Sequence, residues 1–355
     1  MTPHFSVIVP SYNRSRFLAR AVKSVLCQSF RDFELLVIDD ASPDDTQEVL
    51  AALRHPALVS LRQAVNSGVS AARNLGVTQA RGEYLVFLDD DDFFKPDALA
   101  ILDAFFRNHP GIDFSWGAIC HINDEGAGQF SLQQVMWPPR PDHRRRPHPL
   151  DFALRIGTSY GLAVRRTALL DLGGFDTRLK RSEDKDLFLR LAAGGYRSQP
   201  IEEMLVCYHA HSQVSLTRPK AGRLEPADDE LVIRKNAGFL RRAENRALLH
   251  AYHFWIHGMY CDNGDWRGAL RILRQTWAAP AVFFPMLEKF FRSFSGIETL
   301  KDRIGYRARK QRQSMRERKL LQHRSNLLEP DFGSYPSGTQ SLQELERWLL
   351  SKPGG

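Results

Sequence analysis

Short apolar runs and amphipathic stretches alternate along the first hundred residues of this chain. The runs FSVIVP, FELLVID, LVSLRQA and EYLVFL predict strands, and the stretches between them predict helices over about Arg16 to Gln28, TQEVLAAL and Ser70 to Ala80. Strands that alternate with helices in this order are typical of a doubly wound, mainly parallel sheet. The sequence therefore predicts an α/β fold.

After residue 116 the alternation is interrupted, and later it gives way to helices. Gly117–Pro149 has no clear period, and its segment WPPRPDHRRRPHP is either a loop over a site or a solvated linker. SYGLAVRR predicts a strand and EDKDLFLRLAAGG a helix, and further helices are predicted at Asp228–Cys261, Trp266–Ala278 and Pro285–Leu321. We predict three parts: an α/β domain at 1–218, a helical, basic extension at 219–328, and a linker with a short terminal helix at 329–355.

Composition narrows the class of protein. The four cysteines are far apart and form no CxxC pair, so neither a disulfide framework nor a zinc site is indicated. No signal-peptide pattern follows Met1, and no apolar run reaches the roughly 18 to 20 residues of a spanning helix. We expect a cytoplasmic protein, either soluble or peripheral on the inner face of the cell membrane.

The positive charge is local. The net charge is +8, and the segment from Lys301 to Arg324 alone holds ten Lys/Arg and two Asp/Glu, a difference of +8. No nucleic-acid-binding motif accompanies it, so we expect no nucleic-acid partner. Apolar residues at helical spacing within 285–325 predict a basic amphipathic helix for an anionic membrane surface. Alternatively this stripe packs on the α/β domain or on a second chain, as in a homo-oligomer.

The run FLDDDD carries the strongest chemical signal. It places four aspartates, Asp89 to Asp92, directly after the apolar run YLVFL. Ligands bind beyond the carboxyl ends of strands in open α/β sheets, and clustered carboxylates repel one another unless they share a cation. Oxygen ligands of this kind suit Mg²⁺ or Mn²⁺. The alternative is a solvated acidic turn before the next helix.

Four other elements place polar residues at strand ends or helix starts. The turn Pro10–Arg14 can offer backbone groups and an aromatic face to a ligand, and Asp39–Asp40 can accept the N3–H of uracil or thymine. In Asn66–Gly76 small residues allow close approach, and Arg73 can present a planar fork to phosphate or base. Glu183–Asp184 opens a helix. Each also has an ordinary explanation as a turn, a cap or a packing contact.

Taken as an ordered set, these stretches resemble the inverting family 2 glycosyltransferases of GT-A fold. The resemblance covers about residues 4 to 217. The matching segments are SVIVPSYNR, LLVIDDASPDDT, NSGVSAARNLG, GEYLVFLDDDD, GGFDTRL, SEDKDLFLRL and YHAHSQVS. The chain departs from the commonest pattern by having an acid at Asp90, which leaves open which carboxylate holds the metal.

The resemblance implies roles for individual residues. Asp40 would bind the nucleotide base, Asp91 would be the metal ligand, and Asp184 would be the general base. His211, in YHAHSQVS, falls where the family often has a histidine near the diphosphate and is placed with the metal, with His209 as the less favoured of the pair. The donor nucleotide site would comprise Pro10, Tyr12, Asn13, Arg14, Asp39, Asp40, Asn66, Arg73, Asp89 and Asp90. The acceptor site would comprise Gly174, Phe175 and Glu183.

The implied reaction is metal-dependent transfer of a sugar, with inversion, from a UDP- or dTDP-linked donor to a hydroxyl of a glycan or lipid-linked acceptor. Polysaccharide assembly at the cell surface is the expected setting. Two other classes compete. A catalytically silent binding or scaffolding protein of this fold would not need both Asp91 and Asp184. A nucleotidyltransferase would need a glycine-rich, Lys-containing phosphate loop near the N-terminus, and the sequence has none.

Overall fold

A computed structural model of the chain describes residues 2–126, 129–136, 160–210, 226–294 and 340–341. These residues form two compact units. The first consists of the described parts of 1–216, 231–245 and 338–352, and the second of the described parts of 217–230 and 246–337. The domain boundaries at 218 and 328 stay predictions.

A six-stranded sheet organises the first unit. Its order is β3-β2-β1-β4-β9-β6. The first four strands are parallel, whereas β9 runs antiparallel to β4 and β6 antiparallel to β9. The strands are β1 (Phe5–Ser11), β2 (Phe33–Asp39), β3 (Leu58–Arg62), β4 (Tyr84–Leu88), β6 (Phe114–Ser115) and β9 (Tyr160–Arg165). The prediction of a mainly parallel α/β sheet is confirmed.

The central strands are apolar because helices pack on the sheet. Every residue of β1, β2 and β4 is buried, as expected for parallel strands covered on both faces. The helices of this part are α1 (Ser15–Leu26), α2 (Thr46–Ala52), α3 (Val69–Gln79), α4 (Ala98–Asn108), α5 (Arg166–Asp171) and α6 (Glu183–Ala193). Helix α3 approaches β1 so closely that a Cβ at Gly76 would lie 2.6 Å from Cγ2 of Ile8. This approach brings Arg73 of α3 near the ends of the strands.

A second, smaller sheet completes the first unit. Its order is β11-β8-β7-β10-β5, with only β10 and β7 parallel. The strands are β5 (Phe93–Phe94), β7 (Ala118–Gly126), β8 (Gln129–Met136), β10 (Met204–Ala210) and β11 (Gln340–Ser341). The sequence did not lead us to expect β7, β8 or β10. β7 and β8 mix polar and apolar residues without a regular period. β10 was missed although it contains the apolar run MLVCY. The proline-rich segment 137–149 and the terminal helix expected after Ser341 lie outside the described residues.

Helices form the described C-terminal part of the chain. They are α7 (Ala227–Lys235), α8 (Ala237–Leu240), a 3₁₀ turn (Ala243–Asn245), α9 (Arg246–Asn263), α10 (Trp266–Gln275) and α11 (Pro280–Phe294). The single helix expected over Asp228–Cys261 is therefore wrong. It breaks at Asn236, whose side-chain amide donates to the carbonyl of Val232 (2.9 Å) and to Asp186 (3.0 Å). Within the described ranges, no helix is both long enough and apolar enough to cross a bilayer.

Candidate active site

The aspartates that follow β4 form a tight turn. The amide of Asp92 donates to the carbonyl of Asp89 (3.2 Å), which closes a four-residue turn with Asp90 and Asp91 at its centre. Asp89, Asp91 and Asp92 each offer one carboxylate oxygen, and these oxygens lie within 4.8 Å of one another. This arrangement matches the oxygen-only donor set that Mg²⁺ and Mn²⁺ prefer.

Asp92 gives an independent test of whether a cation fits. One of its carboxylate oxygens accepts a hydrogen bond from the backbone amide of His209 (2.9 Å). The other is buried and has no hydrogen-bond partner among the described residues. Burial, followed by the neighbouring charge of Asp91, raises the pKa of Asp92 well above its ordinary value. A buried oxygen that lacks a donor is costly, and a divalent cation would satisfy it.

Asp90 is not part of this cluster and has its own partners. Its Oδ2 accepts from the hydroxyl of Ser11 (2.7 Å), and its Oδ1 lies 3.3 Å from Nη1 of Arg14. Burial, and then the charge of Asp91, raise the pKa of Asp90 to about 7. The structure thus groups Asp89 and Asp92 with Asp91, whereas the family resemblance placed Asp89 with Asp90 in the donor nucleotide site.

The two histidines considered for the metal have different outcomes. His211 lies outside the described residues, so its role stays a prediction. His209 is buried, and its ring Nδ1 lies 2.8 Å from Nη2 of Arg20. The ring also meets Phe17 edge-on at 5.4 Å between centroids. His209 thus supports the acidic turn through its backbone amide and, by way of Arg20, which donates to the carbonyl of Asp91 (2.9 Å), through its ring.

The end of β2 carries two aspartates in different environments. Asp39 is fully buried and accepts hydrogen bonds within the protein, from the amide of Ser42 (2.8 Å) and from the side chains of Gln47 (2.6 Å) and Arg62 (2.9 Å). It therefore anchors the turn after the strand. Asp40 accepts from the amides of Ser67 (2.7 Å) and Gly68 (2.8 Å) and from the side chain of Gln63 (2.5 Å).

The turn after β1 presents an exposed aromatic ring, and it follows Ser11, whose carbonyl accepts from the amide of Asp40 (2.9 Å). Pro10 is buried, whereas Tyr12 is 45% exposed. Asn13 adopts a left-handed conformation (φ 55°), and its amide donates to the hydroxyl of Ser42 (3.0 Å). Asn66 is exposed. The base-binding role of this group stays a prediction, and its geometry leaves the Tyr12 ring accessible for stacking on a ligand.

Arg73 links the acidic turn to α6. Its Nη2 donates to Asp89 (2.9 Å), its Nη1 donates to Glu183 (2.7 Å), and its guanidinium lies 5.4 Å from the ring centroid of Phe175. Only 3% of the residue is exposed. The sequence suggested that the guanidinium of Arg73 is open to a phosphate, but two carboxylates already pair with it. The Glu183 contact joins residues 110 positions apart and has no local sequence signal.

The start of α6 holds a pair of acids. Glu183 is buried, and burial together with the charge of Asp184 raises its pKa to about 7. Asp184 is half-buried and accepts a hydrogen bond from the amide of Lys185 (2.6 Å). Ser182, just before the helix, has φ 62°. The role of Asp184 as the general base stays a prediction, and the structure places its carboxylate in the first turn of α6.

Residues beyond the expected domain boundary also fix α6. Asp186 is fully buried and accepts from Nε of Arg190 (2.8 Å) and from Nζ of Lys235 (2.9 Å). Lys235 also pairs with Asp176, whose pKa is lowered chiefly by its hydrogen bond from Arg178. Residues 231–245 therefore help to hold the helix that carries Asp184.

Gly174 and Phe175 are positioned by Asn74 of α3. The Asn74 amide side chain donates to the carbonyl of Phe175 (2.9 Å) and accepts from its backbone amide (2.7 Å). Gly174 has φ +75°, and a Cβ there would lie 2.4 Å from Oδ1 of Asn74. Glycine is therefore required twice, by conformation and by space.

We expect Gly174→Ala to destabilise the fold more than Gly173→Ala, its matched control. Gly173 has φ +74° and nothing within 4 Å of an added Cβ, so alanine there costs only the conformational term of about 1 to 2 kcal/mol. At Gly174 the methyl group also displaces Asn74, which adds about 1 to 3 kcal/mol for broken buried hydrogen bonds. Urea unfolding measures both. Equal losses would show that the Asn74 contact contributes nothing.

Comparisons with known proteins identify the family. Residues 6–173 match the family described as glycosyl transferase family 2. The putative colanic acid biosynthesis glycosyl transferase WcaA of Escherichia coli is 30% identical over 223 residues, which cover 61% of this chain and 76% of the relative. A Campylobacter jejuni enzyme named GalNAc(5)-diNAcBac-PP-undecaprenol beta-1,3-glucosyltransferase is 42% identical over 103 residues, 28% of this chain and 33% of the relative.

A solved structure agrees at the level of the fold. The structure of Staphylococcus aureus TarS 1–349 in complex with UDP-GlcNAc superimposes with a TM-score of 0.57 and 21% identity, covering 81% of each chain. The first curated relatives are matched over 20%, 76% and 61% of their own lengths, so this chain spans only part of several of them. The matched region includes β1, the acidic turn and α3, and WcaA is matched over three quarters of its length. This chain belongs to glycosyl transferase family 2.

Proposed function

We propose that this protein transfers a sugar, with inversion, from a UDP- or dTDP-linked donor to a hydroxyl of a glycan or lipid-linked acceptor, with Mg²⁺ or Mn²⁺ bound at the acidic turn. The observation that carries the proposal is the cluster of carboxylate oxygens from Asp89, Asp91 and Asp92 within 4.8 Å. Arg73 ties this cluster to the helix that begins with Glu183 and Asp184. Donor activation and proton removal can therefore occur side by side.

The proposed reaction needs both halves of this site. The anomeric C–O bond to the diphosphate breaks while a C–O bond to the acceptor oxygen forms on the opposite face, which inverts the anomeric carbon. Asp184 takes the proton of the acceptor hydroxyl, whose pKa lies far above neutrality, and such general-base help is worth about 10² to 10⁴ in rate. When bound, the metal ion would neutralise charge on the departing diphosphate.

Asp40 and the turn after β1 would select the base. Asp40 is held by amides of the loop that precedes α3, which leaves its carboxylate fixed at the strand end. A fixed acceptor suits the N3–H that uracil and thymine share, and the exposed ring of Tyr12 can stack on the base. The TarS structure contains UDP-GlcNAc, which supports a uridine donor for the proposal.

The proposed acceptor follows from relatives. The Campylobacter relative is named for an acceptor that carries undecaprenol diphosphate, and WcaA is named for colanic acid biosynthesis. A cell-surface glycan, built on a lipid carrier at the cytoplasmic face, fits both names. In the second unit Trp255, Trp277 and Phe284 are 50%, 74% and 63% exposed, which supports contact with a membrane surface. Most of the predicted membrane segment 285–325 lies outside the described residues.

A donor panel tests the proposal. UDP-, dTDP- and GDP-linked sugars are added with Mn²⁺, and both the thermal shift of the protein and the release of nucleoside diphosphate are recorded. We expect a UDP- or dTDP-sugar to raise the melting temperature and to be consumed slowly, with EDTA abolishing both effects. Neither stabilisation nor turnover with any donor would favour the silent binding protein instead.

A further inference from the structure

Arg14 contacts two aspartates of the acidic turn. Its Nη1 lies 3.3 Å from Oδ1 of Asp90 and also contacts Oδ2 of Asp91. Asp91 belongs to the cluster of three ligand-capable carboxylates, whereas Asp90 does not. The guanidinium of Arg14 therefore pairs with a carboxylate, that of Asp91, that a metal ion would also bind.

The backbone around Arg14 is fixed, but its side chain has room to move. The amide of Asn13 donates to the hydroxyl of Ser42 (3.0 Å), and the amide of Ser15 donates to Asp44 (2.9 Å). The Arg14 side chain is 20% exposed, compared with 4% for Arg73, which two carboxylates and an aromatic ring enclose. A change in position at this site would therefore involve Arg14 rather than Arg73.

Asp90 can keep its ion pair with Arg14 when the contact between Arg14 and Asp91 is broken. Its Oδ2 is fixed by the hydroxyl of Ser11 (2.7 Å), so the carboxylate keeps its orientation when Arg14 leaves Asp91. The four aspartates therefore divide between two roles, binding the cation and pairing with Arg14. Asp89, Asp91 and Asp92 contribute to the cation site, whereas Asp90 contacts Arg14 and is not part of that cluster.

We propose that Arg14 is an internal counter-ion that competes with the divalent metal for Asp91 and, when the metal binds, is retained by Asp90 alone. The inference rests on the proposed metal-dependent function. Two cations at contact distance from the same carboxylate repel each other and divide its negative charge between them. Arg14 therefore keeps the turn folded before the metal arrives and lowers the affinity of the empty enzyme for metal.

Mn²⁺ titration of the donor-free protein tests this proposal, because the proposal predicts the direction in which substitution of Arg14 changes the Mn²⁺ affinity. We expect Arg14→Gln to bind Mn²⁺ at least about tenfold more tightly than the wild type, which is about 1.4 kcal/mol. Arg14→Lys keeps the positive charge. Its Mn²⁺ affinity should therefore stay within about threefold of the wild type, because the competition depends on that charge. Calorimetry or electron paramagnetic resonance of free Mn²⁺ measures the affinity.

Arg16→Gln is the matched control. Arg16 is exposed in the first turn of α1, and its guanidinium lies 5.3 Å from the centroid of the Phe17 ring. Its substitution removes the same charge two residues away from Arg14. Its Mn²⁺ affinity should change by less than about twofold, because exposed charges are screened by salt. A thermal melt of each variant confirms folding before titration.

The outcomes separate the proposal from its alternatives. If Arg14 only holds the carboxylates in place, Arg14→Gln weakens Mn²⁺ binding, and that result overturns the proposal, as does an unchanged affinity. Binding that appears only in Arg14→Gln supports it. Because no donor is present, failure of the sugar-transfer assay leaves this measurement intact, and failure here leaves the transfer proposal intact.

Discussion

Asp184→Asn should lower the turnover number for sugar transfer by about 10² to 10⁴ while donor binding survives. Asparagine has nearly the same shape, and its carbonyl can still accept the hydrogen bond from the amide of Lys185. It cannot take a proton from the acceptor hydroxyl. The half-buried position at the first turn of α6 allows the substitution without loss of packing. Steady-state kinetics with the best donor, and calorimetry with UDP and Mn²⁺, separate catalysis from binding.

Asp171→Asn provides the control for this variant. It is the same chemical change on an exposed acid at the end of α5, where Oδ2 accepts one long hydrogen bond from Tyr196 (3.3 Å). We expect turnover within about twofold of the wild type, since surface substitutions are usually small in effect. Full activity in Asp184→Asn would remove this residue from the catalytic step and redirect attention to Glu183.

Arg73→Met should cost about 3 to 5 kcal/mol of unfolding free energy, because it leaves two carboxylates without their buried cation. Methionine can fill much of the space beside Phe175, so the loss isolates the charge. Urea unfolding measures the effect. Arg81→Met is the control: its side chain is 66% exposed, and its partner Glu34 keeps hydrogen bonds from Ser6 and from the Arg81 amide. We expect a loss below about 1 kcal/mol there.

The cost of Arg73→Met should also grow with pH. Glu183 has a pKa raised to about 7 from an ordinary value of 4.5, so the folded state holds its proton longer than the unfolded state does. Stability from this group is complete below the unfolded pKa and is lost as the pH rises towards the folded one. Without Arg73 the folded pKa rises further, and the loss at pH 8 should exceed that at pH 6. Glu183→Gln added to Arg73→Met should recover part of the stability, and no recovery would contradict the pairing.

Three of the strands that were identified from sequence share one physical property. β1, β2 and β4 are buried on both faces, so each reads as a continuous apolar run, and the polar residues that follow mark the edge where ligands bind. β7 and β8 belong to the second sheet and carry no such run. Their pairing, rather than their composition, defines them.

The sequence by itself determined the fold class, the family resemblance and the acidic turn, because burial and strand-end position leave their mark on neighbouring residues. Only the tertiary structure decided which carboxylates meet. The turn from Asp89 to Asp92 joins its two ends and directs Asp90 towards Ser11, and a side chain's direction is set by backbone geometry rather than by residue type. The tertiary structure also brings Arg73 to Glu183, which lies 110 positions further along the chain. A contact of that range depends on how α3 packs on the sheet.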